Sequence, residues 1–154
     1  MKPSLVLCLG NEVRSDDAFG AAVADRLTSN GHAENGTEVL FAATAGFALL
    51  DLLRDRKRVL VVDTIITGNA PPGKLHLFAA GALTPSRGLI NSHQMSLPTA
   101  VALGKELGLN MPTEISVLAV EAQDVHTLSE QLTPPVEAAL DEAVTIVTDW
   151  MARG

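Results

Sequence analysis

The stretch "SLVLCLGNEVRSDDAFGAAVADRL", residues 4–27, decides the fold of this chain. Its first six residues are a short, continuous apolar run, as expected for a central strand covered on both faces. From Asp17 onward, Phe19, Val23 and Leu27 share one helical face, with Asp25 and Arg26 away from it. The same alternation recurs along the chain. "TEVLFAA" (37–43) reads as a second strand, and "AGFALLDLLRD" (45–55) as a helix that Thr44 can cap. "RVLVVDTI" (58–65) is a third strand, apolar until Asp63. "GNAPPG" (68–73) breaks the pattern, and "KLHLF" (74–78) follows as a more exposed strand. "MSLPTAVALGKELGL" (95–109) is a helix in which Pro98 is tolerable only near the first turn. "EISVLAVEA" (114–122) is a fifth strand. "TPPVEAALDEAVTIVTDWMAR" (133–153) closes the chain as one long helix, with Thr133 as its cap and Pro134 at its first position. Strands separated by helical segments imply crossover connections, hence an α/β fold with a mainly parallel sheet and helices on both faces.

The bulk composition agrees. At 154 residues, with no linker or repeat, residues 1–154 are expected to form one domain. Apolar residues are 47% of the chain and aromatic ones only 3%, so the core must be built from Leu, Val, Ile and Ala. A net charge of −7, with no Lys/Arg cluster, disfavours nucleic acid as a partner. Cys8 cannot form an internal disulfide as the only cysteine, and its apolar run marks a buried, inert thiol. The first apolar stretch is shorter than the roughly 7–15 residues of a secretory core, and no run approaches the roughly 20 of a membrane span. The chain therefore reads as soluble and cytoplasmic, without a membrane partner.

In open parallel sheets, ligands bind beyond the carboxyl ends of the strands. Asp16 and Asp17 follow the first strand, Asp63 ends the third, and His93, in "NSHQMS" (91–96), precedes the third helix. Each has a plainer reading. Asp16 can be an N-cap, and Asp17 gains from the helix dipole whatever its role. Asp63 can cap a turn, although burying it costs several kcal/mol unless a donor or cation meets it. His93 can be a capping or loop residue, and His32, His76 and His126 are assigned no role. Together, two carboxylates and one imidazole describe an open site for a borderline first-row divalent ion better than one for calcium. An anion-binding turn at "LGN" is the weaker reading, because no G-x-G-x-x-G or P-loop pattern is present and two aspartates repel a phosphate.

"GNEVRSDDAFG" (10–20) resembles the G-N-x-x-x-x-D-[DE]-x-x-G signature of the hydrogenase maturation proteases. "ATAG" (43–46), "VLVVDTI" (59–65), "SHQMSL" (92–97) and "LTPPVEAAL" (132–140) follow in the family's order, so the similarity spans nearly the whole chain. The resemblance implies a three-layer α/β/α sandwich with a twisted, mostly parallel five-stranded sheet. It implies an endopeptidase that removes the C-terminal extension of the nickel–iron hydrogenase large-subunit precursor after nickel insertion. Asp17, Asp63 and His93 would then be the metal-binding and catalytic residues, with Asp16 as a supporting carboxylate. The nickel would be supplied by the precursor, and the enzyme would complete its coordination. One departure stands out: "FAAT" (41–44) replaces the family's DGGT or DCGT, putting Phe41 where an aspartate is common. A non-catalytic precursor- or nickel-binding maturation factor is the competing expectation, and a small nucleotide-binding domain a more distant one.

Overall fold

The computed structural model describes residues 2–29, 36–43, 47–79, 89–90 and 97–153. Its strands are β1 (Ser4–Leu9), β2 (Thr37–Ala42), β3 (Arg58–Ile65), β4 (Leu75–Ala79) and β5 (Glu114–Glu121). They form one sheet in the order β2-β1-β3-β5-β4, parallel throughout except that β4 runs antiparallel to β5. The helices are α1 (Phe19–Ser29), α2 (Phe47–Leu53), α3 (Leu97–Glu106), α4 (Pro134–Ala138) and α5 (Leu140–Ala152).

Strand alternation builds two cores. Val6, Cys8, Leu60, Val62, Leu118 and Val120 face α1 and α5, where Phe19, Leu27, Val147 and Trp150 pack against them. Leu5, Leu7, Val59, Val61, Val117 and Ala119 face the opposite layer, with Leu49 and Leu53 of α2 and Ala100 of α3. The expected three-layer sandwich is therefore the fold. Cys8 is fully buried, and burial pushes its thiol up to about 12, which leaves it protonated and inert. Among the described residues, no helix is long and apolar enough to cross a membrane.

Topology positions the site. From β1 the chain crosses to β2 on one side, then returns through α2 to β3 on the other side of β1. The strand order thus reverses between β1 and β3, and crevices open at the carboxyl ends of strands flanking such a reversal.

The turn leaving β1 is tighter than its sequence implies. A 3-10 turn, Ser15–Ala18, precedes α1, so Asp16 and Asp17 lie before the α-helix and not in its first turn. Asp16 caps neither element. Arg14 is the N-cap residue of the 3-10 turn, and Ser15 takes a left-handed φ of 53°. Two glycines permit the compact path. A Cβ on Gly10 would lie 2.2 Å from the Asp17 carbonyl oxygen, and one on Gly20 would lie 2.4 Å from that of Leu9. Helix α1 therefore starts hard against the end of β1. Gly20→Ala, which in an exposed helix would stabilise, is expected here to cost about 1–3 kcal/mol through this overlap. Urea unfolding of the variant measures it, and an unchanged or higher midpoint would contradict the close contact.

The single terminal helix expected from the sequence divides at Ala139. Its N–H bonds back three residues to the Val136 carbonyl (3.1 Å), a 3-10-type tightening that separates α4 from α5. Pro134 does occupy the first helical position after Thr133.

Candidate active site

Asp17, 3% exposed, and Asp63, fully buried, meet at the reversal point through the residue between them, Thr64. Thr64 Oγ1 donates to Asp17 Oδ1 at 2.9 Å, and Thr64 N donates to Asp63 Oδ1 at 2.7 Å. Asp63 lies on the α2/α3 side of β3, with Val61 and Ile65, whereas Thr64 follows Val62 toward the α1 side. A single strand residue thus reaches carboxylates that approach the sheet rim from different layers. Hydrogen bonds to each carboxylate offset part of its desolvation.

The turn itself is braced from within. Asn11 N donates to the Asp17 carbonyl (3.1 Å), and Asn11 Oδ1 accepts from Val13 N (3.1 Å).

Asp16 faces away from Asp17's partner. Its Oδ2 accepts from Gln123 N (2.8 Å) and Asp124 N (2.9 Å), and its Oδ1 accepts from Thr133 N (2.7 Å) and Thr133 Oγ1 (2.8 Å). Asp16 N in turn donates to the Asp124 carbonyl (2.9 Å). The fully buried carboxylate is a clasp that locks the motif loop onto the segment between β5 and α4. Thr133, expected to cap α4 with its hydroxyl, spends that hydroxyl on Asp16 and makes no side-chain cap bond. The clasped segment is itself stiffened at Asp124, where the Thr127 hydroxyl and N–H and the His126 N–H hold the carboxyl at about 2.

His93 lies outside the described residues, as do His32 and Thr44. The chain that leads to His93 is nevertheless anchored at the same place. Leu89 bridges Ile65, and Ile90 N donates to the Thr64 carbonyl at 3.0 Å. Among the described residues, no group of three or more His, Cys, Asp and Glu side chains is arranged to hold a metal ion. Phe41, the departure from the family pattern, is half-buried and packs against the α1/α5 core.

Sequence reasoning missed a further acid on this rim. Glu121, at the end of β5 and 2% exposed, accepts from Thr67 N and Thr67 Oγ1, both at 2.7 Å, and pairs with His76 Nε2 at 3.1 Å. A carboxylate ending the apolar run "VLAV" is the same signal that singled out Asp63. Burial pushes the Glu121 carboxyl up, but the Thr67, His76 and Gly68 hydrogen bonds together outweigh it and hold the carboxyl below its ordinary value. A depressed folded pKa contributes stability that is present above the ordinary glutamate range and lost as pH falls through the folded value. The stability difference between wild type and Glu121→Gln, from urea unfolding, is therefore expected to shrink on acidification below about 4.5. A difference that grows on acidification would contradict this sign.

The comparisons with known proteins agree with this architecture. The sequence profile of the hydrogenase maturation proteases matches residues 21–150. The hydrogenase 2 maturation protease of Escherichia coli K12 is 27% identical over 145 residues, spanning 91% of this chain and 85% of that protein. The structure of the E. coli hydrogenase maturating endopeptidase HybD superposes with a TM-score of 0.78 at 25% identity, over 96% of this chain and 90% of that one. The [NiFe] hydrogenase maturation protease HybD of Thermococcus kodakarensis superposes with a TM-score of 0.73 at 25% identity, over 98% and 99%. With the profile covering most of its length and the fold shared from end to end, the chain belongs to the hydrogenase maturation protease family.

Proposed function

We propose that this protein is the endopeptidase that removes the C-terminal extension from the large-subunit precursor of a nickel–iron hydrogenase, and that it acts once nickel is in place. The observation that carries the reading is the pair of buried carboxylates, Asp17 and Asp63, gathered by Thr64 at the point where the strand order reverses. In this reading Asp17, Asp63 and His93 complete the coordination of the nickel already held by the precursor, which is part of the substrate. A mixed oxygen and nitrogen set suits such an ion. His93 follows Ile90, whose N–H the Thr64 carbonyl holds, by three residues in the sequence. With the substrate's metal so docked, the scissile carbonyl is polarised or a water is oriented for attack. The protein's own part is to hold the two carboxylates in hydrogen-bonded positions and to present them from the rim of the sheet.

Incubation of the protein with nickel-loaded precursor is expected to release a C-terminal peptide, detected as a loss of mass, while nickel-free precursor stays intact. An intact loaded precursor, held in a stable complex, would favour a non-catalytic maturation factor instead.

A further inference from the structure

We propose that Thr64 is the positioning residue of this site, tying together the two segments that carry Asp17 and Asp63; the proposal rests on the functional reading given above. Each polar atom of Thr64 is committed. Its N–H holds Asp63 Oδ1 at 2.7 Å, its hydroxyl holds Asp17 Oδ1 at 2.9 Å, and its carbonyl accepts from Ile90 N at 3.0 Å, three residues before His93. The residue is fully buried, so water does not compete for these bonds.

The residue type matters at this point. Threonine continues a β-strand as well as valine does, so nothing in the strand's own stability calls for a hydroxyl here. Branching at Cβ restricts χ1, which makes the hydroxyl direction a property of the strand and not of a mobile side chain. The bond to Asp17 also runs across the fold, from β3 to the turn after β1, a separation of 47 residues. By pinning one oxygen of each carboxylate, Thr64 sets the direction in which the two acids face the rim.

Thr64→Val removes only the hydroxyl bond and leaves both backbone bonds in place. The readout is the ratio of dissociation constants for nickel-free and nickel-loaded precursor, with cleavage rates alongside. We expect T64V to shrink that ratio, and kcat, by roughly 10–100-fold, the usual loss when an outer hydrogen-bond partner of a ligand is removed. Affinity for nickel-free precursor should stay unchanged. Thr64→Ser, which restores the hydroxyl, should recover most of both. In an Asp17→Asn background, T64V should have little further effect on the ratio, because the threonine acts through that carboxylate. If T64V does not fold, Thr64→Ala carries the same comparison. A T64V protein with the wild-type ratio overturns the proposal, as does one whose loss is equal for both forms of precursor or undiminished in the Asp17→Asn background. If wild type itself neither discriminates nor cleaves loaded precursor, the functional reading fails first and this proposal with it.

Discussion

Asp63→Asn is expected to lower cleavage of nickel-loaded precursor by on the order of 10²–10³-fold while leaving the fold intact. The carboxylate lies fully buried two residues before the end of β3, and its Oδ1 accepts from Thr64 N. An asparagine amide keeps a carbonyl oxygen for that N–H, so the strand end retains its hydrogen bond and the side-chain volume is unchanged. What changes is one carboxylate oxygen, replaced by an amide nitrogen that cannot serve as an anionic ligand. In a site shielded from water, one preorganised electrostatic contact to the reacting centre is worth roughly 10²–10³ in rate. That exceeds the roughly 10–100-fold effect of an outer partner such as Thr64. Product mass after a fixed incubation measures it, with the urea midpoint as the control. Near-wild-type cleavage by D63N would remove Asp63 from the chemistry.

Asp16→Ala should do the opposite, costing stability first. The carboxylate accepts from Gln123 N, Asp124 N, Thr133 N and Thr133 Oγ1, and all of its acceptor capacity is turned inward. Truncation leaves these donors facing a void. Each buried donor left without a partner costs about 1–3 kcal/mol, and partial entry of water makes the sum roughly 3–5 kcal/mol. Urea unfolding at neutral pH checks this, and a loss below about 1 kcal/mol would mean that the clasp is not structural. The two adjacent aspartates of the motif therefore separate by role. Asp16 fastens the loop to the β5–α4 segment, which frees Asp17 to turn toward β3.

The sheet was legible because its strands are continuous apolar runs ended by polar residues. "SLVLCL" and "RVLVVDTI" match β1 and β3 residue for residue, since Gly10 ends one and a buried acid marks the rim of the other. Asp63 stood out for the same reason, as a charge that an apolar strand cannot bury without partners. What stayed hidden depends on contacts far apart in sequence. Thr133 sits where a helix cap belongs, and nothing local reveals that its hydroxyl goes to Asp16, 117 residues away. Thr64 looks like any β-branched strand residue until the turn after β1 is folded against it. Glu121 carried a readable signal, but the helical segment preceding β5 and the exposed strand beside it drew no attention to that end of the sheet. The division at Ala139 has no breaker residue to announce it, only a change from four-residue to three-residue hydrogen bonding.

The family's departure at "FAAT" takes on a physical meaning in the fold. Phe41, next to last in β2, is half-buried against the α1/α5 core, an apolar environment in which an unpartnered aspartate would be costly. Phe41 thus adds to core packing near the end of an edge strand, on the far side of β1 from Asp63.

The central claim is that the precursor's nickel gains ligands from this protein. X-ray absorption at the nickel edge, recorded on loaded precursor alone and after mixing with the protein, tests it most directly. The account predicts added oxygen and nitrogen scatterers in the nickel coordination sphere on mixing with wild type, diminished when Asp63→Asn is used. A nickel spectrum unchanged by wild-type protein that still binds and cleaves the precursor would contradict it.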